Sequence, residues 1–324
     1  MTTQTAVELS VVFSFRNEAP VLPELIRRTM AVLEALGLSY EIIFVDDAST
    51  DGSFELLCAA REQNPRIGIL RMSRRFGVHP CVLAGLRHAR GAAVIYMDAD
   101  LQDPPELIPE LVARWRAGAE VVNTVRLSRA GEPPLKMWLT GMAYRVLNLL
   151  SDTPVPYNVG EYKLLDRRVV NELIRLDEID PFFRGLVQWV GFRQETVPYH
   201  REARFAGRTH FALLGGGPVK EFLRGLLSFS AAPLYLALGL GFLSSAAALV
   251  YAGYVIVKKW LGLNLPGWSA LMVAILFIGG MILLTNGLIG LYLARVYEQV
   301  KNRPRYIIRE RVGIPPATGS GLNY

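Results

Sequence analysis

The residues best suited to chemistry lie in the stretch YMDADLQDPPE, Tyr96 to Glu106. Asp98 and Asp100 are two positions apart and follow the apolar run AAVI, which is typical of a buried strand. If the strand continues through both, their carboxylates share one face. Oxygen ligands at this spacing suit Mg²⁺ or Mn²⁺, hard ions that take further oxygens from phosphate. The pattern favours a metal-assisted site for a nucleotide diphosphate substrate over a simple turn of the chain.

The elements around this stretch predict where such a site lies. LSVVFSF, YEIIFVDD, RIGILRMS and AAVIYMDAD are predicted strands, and segments with helical spacing of apolar residues separate them. This alternation indicates an α/β fold with a mostly parallel sheet covered by helices. In such sheets ligands bind outside the carboxyl ends of the strands, where Asp46, Asp47, Asp98 and Asp100 all fall.

Several other chemistries lack their signatures in this sequence. A glycine-rich P-loop is absent, and no GxGxxG follows the first strand, which argues against a Walker-type nucleotidase and a dinucleotide oxidoreductase. No histidine or cysteine spacing suggests zinc, and no GxSxG motif occurs. The net charge of +6 suits phosphates, nucleic acid or an anionic membrane. Nucleic acid is disfavoured, because no binding motif is visible and the basic residues cluster beside apolar runs.

The C-terminal third carries two runs without any charged residue, 231–257 and 265–294. Each exceeds the roughly 20 residues that a helix needs to cross a bilayer. We therefore predict two transmembrane helices, the alternative being a buried helical hairpin in a soluble protein. Lysine and arginine flank the outer ends of the pair, whereas the connecting loop holds only Lys258 and Lys259, which places both chain ends in the cytoplasm.

The resulting organisation has five parts. A cytosolic catalytic domain covers 1–215, and a juxtamembrane amphipathic segment covers 216–230. The predicted membrane helices 231–257 and 265–294 follow, and a basic cytosolic tail covers 295–324.

Four segments together resemble glycosyltransferase family 2: VVFSFRNEAP, IIFVDDASTDGS, MSRRFGVHPCVLAGLRHARGAAVIYMDADLQDPPE and VGEYKLLDRRVV. More narrowly, they resemble the polyprenyl-phosphate glycosyltransferases, which include dolichol-phosphate mannose synthases and bactoprenol (undecaprenyl-phosphate) glucosyltransferases. The resemblance covers nearly the whole chain, including the two-helix anchor. It implies a GT-A fold and inverting transfer of a sugar from a nucleotide sugar to a polyprenyl phosphate in the inner membrane. The anchor favours UDP-glucose as donor, and close relatives suggest a homotetramer.

Other functions stay open at this point. A GDP-mannose-dependent mannose synthase is the nearest alternative. A processive polysaccharide synthase of the same superfamily is disfavoured, because its QxxRW signature is missing and VQWVGF is the nearest string. A scaffold that has lost its chemistry is disfavoured by the intact Asp98, Asp100 and Gln102.

The resemblance also implies roles for individual residues. The metal and the donor pyrophosphate are expected at Asp98, Asp100 and Gln102. The nucleotide is expected beside Phe15, Arg16, Glu18, Asp46 and Asp47. The acceptor phosphate is expected at Arg126, Lys136, Thr140, Arg204 and Arg208. Asp100, Glu161, Arg126, Lys136 and Arg204 are the expected catalytic set.

The sequence departs from the family pattern at two of the relevant positions. Glu161 stands where the family often has an aspartate that is proposed as base or acceptor-site acid, and His210 stands where it often has a lysine. A phosphate monoester is largely dianionic at pH 7. Transfer of a sugar to it therefore needs cations that orient the phosphate more than it needs a strong base. Asp103 is expected to cap the helix that Pro104 and Pro105 begin.

Overall fold

The computed structural model describes residues 7–128, 141–142, 145, 148–149, 159–176, 178, 182–202, 230, 232–262 and 267–315. The chain divides into two compact units. The first holds residues 1–148, 153–225 and 304–324, and the second holds 149–152 and 226–303. The predicted segment 216–230 and the predicted site residues Lys136, Thr140, Arg204, Arg208 and His210 lie outside the described residues, apart from Ser230.

The first unit is built from strands and helices that mostly alternate. Its strands are β1 (Leu9–Phe15), β2 (Tyr40–Asp46), β3 (Ile67–Met72), β4 (Ala93–Asp98), β5 (Val121–Ser128), β6 (Val159–Asp166), β7 (Gln194–His200) and β8 (Ile308–Val312). Its helices are α1 (Leu22–Leu36), α2 (Ser53–Gln63), α3 (Val78–His88), α4 (Ile108–Arg116), α5 (Arg167–Arg175) and α6 (Phe183–Trp189), and a short 3-10 turn covers Pro105–Leu107.

The strands form one mixed sheet in the order β7-β5-β6-β4-β1-β2-β3-β8. The four central strands β4, β1, β2 and β3 run parallel. On one side of them β6 is antiparallel to β4, and on the other side β8 is antiparallel to β3. Every residue of β1 and β2 is buried, as expected for parallel strands covered on both faces. The prediction of an α/β fold with a mostly parallel central sheet is confirmed.

The register of the central strands brings the predicted site together. Phe15 at the end of β1 pairs with Asp46 at the end of β2, and Ser14 pairs with Asp98 at the end of β4. Helix α3 covers this part of the sheet closely, because a Cβ atom on Gly85 would lie 2.2 Å from Cγ1 of Val12. The acids that follow β2 and β4 therefore lie at one edge, on either side of β1.

The second unit contains two long helices, α7 (Ala232–Trp260) and α8 (Trp268–Val300). The segments Pro233–Trp260 and Leu271–Val300 are long and apolar enough to cross a membrane, judged by length and composition. Large apolar side chains on both are exposed, Phe242 and Leu283 each to 74%.

The segment 295–324 differs from the single basic tail that the sequence indicates. Its first residues continue helix α8 as far as Val300, and Ile308–Val312 forms strand β8 against β3. The pattern IRERV alternates between intermediate and exposed side chains, as an edge strand does.

Candidate active site

The acidic stretch after β4 presents three polar side chains on its accessible side. Asp98, Asp100 and Gln102 are partly exposed, while the intervening Ala99 and Leu101 are buried. Leu101 has a φ of +57°, an uncommon conformation for a branched residue and one that concentrates at functional sites. The backbone N–H of Gln102 donates to Oδ1 of Asp100 at 3.2 Å. Strand β4 ends at Asp98 and does not continue through Asp100, so the condition for a shared strand face is not met, and the assignment of these three side chains to one site stays a prediction.

Negative charge accumulates around Asp98. Burial raises the pKa of Asp98 to about 7, and the carboxylates of Asp100, Asp103 and Glu161 add to this effect, while Arg201 opposes it. Among the described residues, no group of three or more histidine, cysteine, aspartate or glutamate side chains is arranged to hold a metal. The residues present instead fit a hard divalent ion with few protein ligands, because Mg²⁺ commonly takes one or two carboxylates and completes its shell with water and phosphate.

Asp46 occupies the neighbouring strand end and is fully buried. Its Oδ1 accepts the Ser49 N–H at 2.8 Å, whereas Oδ2 lies 3.7 Å from Nε of Arg71 and has no hydrogen-bond partner among the described residues. Burial raises the pKa of Asp46. A buried carboxylate oxygen without a hydrogen bond is destabilising, and a donor on a ligand that reached this strand end would satisfy it.

Asp47 has a different environment. Its two carboxylate oxygens accept the backbone N–H groups of Phe76, at 2.6 Å, and Gly77, at 3.0 Å. These bonds fix the segment that leads into α3. The prediction that Asp47 also contacts the nucleotide stays a prediction.

The loop after β1, which contains Arg16 and Glu18, is bound to the loop after β2. The N–H of Asn17 donates to Ser49 Oγ at 2.9 Å, and Oδ1 of Asn17 accepts the Thr50 N–H at 2.8 Å. These hydrogen bonds hold the two loops together beside Asp46. The predicted nucleotide residues Phe15, Arg16 and Glu18 lie on or next to it, with Phe15 and Glu18 each 6% exposed.

Asp103 does not cap a helix, which corrects the prediction for this residue. The 3-10 turn that follows has Pro104 at its start and no side-chain cap. Asp103 is instead fully buried, and its Oδ1 accepts the hydroxyl of Tyr199 and lies 3.3 Å from Nε of Arg201. Burial and Asp103 together raise the pKa of Tyr199 to about 12.

Arg126, a predicted acceptor residue, belongs to the same cluster. Its Nη2 lies 3.7 Å from Oδ2 of Asp103, and its Nε donates to the Tyr199 hydroxyl at 3.2 Å. Burial lowers the pKa of Arg126, but Asp103 and Tyr199 outweigh it and the net shift is upward. Strand β5 pairs with β7, so a local sequence pattern could not reveal this cluster.

Glu161 is buried on β6, and the Nε of Arg184 donates to its Oε1 at 2.5 Å. Burial opposes ionisation, yet Arg184, His79 and Lys163 outweigh it and lower the pKa of Glu161 to about 2. A carboxylate with so low a pKa is a weak proton acceptor near neutrality. The geometry therefore favours a fixed negative charge at this position over a general base.

The chain segment that leads toward Arg204 is tied to the acidic stretch. The backbone N–H of Glu202 donates to the carbonyl oxygen of Gln102 at 3.0 Å. Arg28 on α1 binds Glu106 with two nitrogens, at 2.8 and 2.6 Å, and lies 3.4 Å from Glu202. The end of β7 and the stretch from Gln102 to Glu106 are thus held together.

Comparison with known proteins gives this arrangement a family. Residues 10–174 match the model described as Glycosyl transferase family 2. An uncharacterized glycosyltransferase of Synechocystis is 43% identical over 95% of this chain and 96% of its own length. The bactoprenol glucosyl transferase of Shigella phage SfII is 34% identical over 94% of this chain and 98% of its own.

Among solved structures, a mannosyltransferase from Pyrobaculum calidifontis in complex with GDP-Man and Mn²⁺ is 18% identical, over 87% of this chain and 88% of its own. Its TM-score is 0.46.

The acids at the carboxyl ends of the parallel strands lie where α/β enzymes bind their ligands. The chain belongs to glycosyl transferase family 2 and is a glycosyltransferase with the GT-A fold.

Proposed function

We propose that the protein transfers glucose from UDP-glucose to undecaprenyl phosphate or a similar polyprenyl phosphate, with inversion at the anomeric carbon. The observation that carries the proposal is the grouping of Asp98, Asp100 and Gln102 beside Asp46, in a chain that matches a bactoprenol glucosyl transferase along 94% of its length. The product would be a lipid-linked monosaccharide for cell-envelope glycans.

The reaction needs one bond to form and one to break. A phosphate oxygen of the acceptor attacks the anomeric carbon, and the bond from that carbon to the β-phosphate oxygen of the donor breaks. The electron pair leaves with UDP. Because the acceptor phosphate is already largely ionised at pH 7, no strong base is needed, which agrees with the low pKa of Glu161.

The protein groups act mainly by position and charge. Asp98, Asp100 and Gln102 would hold Mg²⁺ or Mn²⁺ against the donor diphosphate. Such an ion, when bound, neutralises negative charge that develops on the leaving group. On the acceptor side, Arg126 is the described member of the proposed phosphate-binding set, and Lys136, Thr140, Arg204 and Arg208 complete it.

The two apolar helices supply the membrane location that a polyprenyl acceptor requires. We place α7 and α8 across the inner membrane, with both chain ends and the catalytic domain in the cytoplasm. The sheet supports this topology, since β3 precedes the helical pair in the chain, β8 follows it, and the two strands pair directly. Two crossings return the chain to its starting side. A homotetramer is proposed from family resemblance.

A direct transfer assay tests the proposal. Purified protein is mixed with undecaprenyl phosphate, Mn²⁺ or Mg²⁺, and in turn labelled UDP-glucose, UDP-galactose, UDP-N-acetylglucosamine and GDP-mannose. We expect a lipid-linked product with UDP-glucose, dependent on both the lipid and the metal. A product with GDP-mannose alone would establish the mannose synthase alternative, and no lipid-linked product with any donor would refute the proposal.

A further inference from the structure

Strand β8 brings residues from beyond the second apolar helix to the nucleotide side of the sheet. It pairs with β3 so that Glu310 stands opposite Arg71. Met72 pairs with Ile308, so the register shifts here and Arg309 is one additional residue on β8. Such a bulge changes the direction of the neighbouring side chains and often lies next to an active site.

Arg71 connects this strand to the site. Its Nη1 donates to Oε1 of Glu310 at 3.2 Å, and its Nε lies 3.7 Å from Oδ2 of Asp46. Its guanidinium carbon lies 4.3 Å from the centre of the Phe54 ring. Asp46 and Arg71 are direct neighbours in the pairing of β2 with β3. The guanidinium therefore lies beside the Glu310 carboxylate, the buried Asp46 carboxylate and the face of the Phe54 ring.

The position of this guanidinium determines the charge beside the buried Oδ2 of Asp46. Oδ2 of Asp46 has no hydrogen-bond partner among the described residues, and Arg71 is the cation beside it. A long arginine side chain loses rotamer entropy when it is fixed, so its place must be held by contacts. Glu310 provides the hydrogen-bonded contact of the three.

We propose that Glu310 is a positioning residue for the donor nucleotide, acting through Arg71 on Asp46. The inference rests on the proposed binding of the nucleotide sugar beside Asp46. Glu310 lies on the donor side of the sheet, whereas Arg126 and Glu161 lie on β5 and β6, beyond β4 and β1. Loss of Glu310 therefore weakens binding of the donor and leaves use of the acceptor unchanged. The catalytic domain gains its complete nucleotide site only when the chain beyond α8 has joined the sheet.

Steady-state kinetics of the full-length protein, together with direct binding of UDP in the presence of Mn²⁺, test this role. For Glu310→Ala we expect the donor KM and the Kd for UDP to rise roughly threefold to fivefold, the upper part of the range for loss of one partly exposed ion pair. The acceptor KM and kcat should stay within about twofold of wild type, since neither depends on the ion pair. Glu310→Gln keeps the hydrogen-bond acceptor and should give a smaller rise.

A matched control is Glu172→Ala. Glu172 is an exposed glutamate on α5 that pairs with Arg175 at 3.1 Å, and this variant should match wild type. Unchanged donor KM and UDP affinity in Glu310→Ala would overturn the proposal. A fall in kcat and in thermal stability together with a rise in both KM values would also overturn it, because such a uniform change would show a structural role. If Glu310→Ala does not fold, Glu310→Gln decides, and loss of folding in both variants also overturns the proposal. If wild type binds UDP but transfers no sugar, the proposed function fails while the UDP affinities still decide the role of Glu310.

Discussion

The charge of the acidic stretch is divided between two environments. Asp98 and Asp100 are partly exposed, while Asp103, in the same stretch, is fully buried and lies beside Arg126 and Arg201. Asp103 therefore has its countercharges within the protein, whereas the accessible pair has an excess of negative charge around it. A divalent cation and a diphosphate fit the accessible pair because the ion neutralises the carboxylates and the phosphates together.

The first prediction concerns Asp100. Asp100→Asn keeps the shape of the side chain and removes one charge from the proposed metal site. We expect kcat to fall at least about a hundredfold, the scale on which loss of one group that stabilises a charged transition state acts. Transfer to undecaprenyl phosphate is the measurement, with membrane insertion checked by fractionation.

The control for Asp100 is Glu110→Gln, an exposed carboxylate on α4. It should leave transfer unchanged. Near-normal activity of Asp100→Asn, with or without excess Mn²⁺, would remove Asp100 from the metal site.

Lys163 gives a pH-dependent prediction. It is fully buried, and its Nζ donates to Oδ1 of Asn123 at 2.9 Å. Burial lowers the pKa of Lys163 to about 7; Glu161 opposes this shift, and Arg184 and Arg126 add to it. Below pH 7 the folded protein carries a buried ammonium, so the destabilisation is then fully present. Between pH 7 and about 10.5 only the unfolded chain holds that proton, so stability rises with pH.

Lys163→Met removes this proton from both states. We expect the stability of the variant relative to wild type to be greatest at pH 6–7. It should then fall by up to about 1.4 kcal/mol per pH unit as pH rises toward 9.5. Loss of the bond to Asn123 shifts all pH values alike, so the slope is the readout. Thermal unfolding from pH 6 to 9.5 measures it, and parallel curves for the two proteins would contradict the lowered pKa.

At the scale of elements, local pattern predicts the central strands and the position of their acids. The apolar runs that end at Asp46 and Asp98 are strands, and the sheet sets both at the carboxyl ends beside β1. The same reasoning could not find β8, because the segment IRERV is short, charged and becomes a strand only through its pairing with β3. It also missed the Asp103 cluster, because Asp103 and Tyr199 are 96 residues apart in the chain and meet only in the folded protein.

The Asp103 cluster connects the acidic stretch to β7, so we expect a substitution within it to lower the stability of the protein. Asp103→Asn keeps an acceptor for the Tyr199 hydroxyl but leaves Arg126 and Arg201 without their common carboxylate. We expect the free energy of unfolding to fall by about 3 kcal/mol, as for the loss of one partner in a buried ion pair. Tyr199→Phe should cost about 1 kcal/mol, because only hydrogen bonds are lost.

Chemical denaturation in detergent gives both values for the Asp103 cluster. Glu106→Gln, which weakens the more exposed pair with Arg28, is the comparison and should cost less than about 1 kcal/mol. Equal effects of Asp103→Asn and Glu106→Gln would show that the buried cluster does not hold β7 to the acidic stretch.

At the scale of the whole molecule, the order of elements along the chain constrains its topology. Strand β3 and strand β8 pair in one sheet, and α7 and α8 lie between them in the chain. If both helices cross the bilayer, their outer ends must be on the side of the sheet, and the connection between them must be on the other side. The distribution of lysine and arginine independently predicts that the sheet lies in the cytoplasm.

Single cysteines test this topology in a background without Cys58 and Cys81. Leu261→Cys lies just after α7 at a position 68% exposed, and Arg309→Cys lies on β8 at a side chain 65% exposed. We expect a membrane-impermeant maleimide to label Leu261→Cys in spheroplasts and to label Arg309→Cys only after lysis, because the bilayer separates the two sites. Equal labelling of both before lysis, or of neither, would exclude a helical pair that crosses twice. Because β3 pairs with β8, the chain between them must cross the membrane an even number of times. If it does not cross twice, the enzyme is bound to the membrane surface and meets its acceptor lipid there.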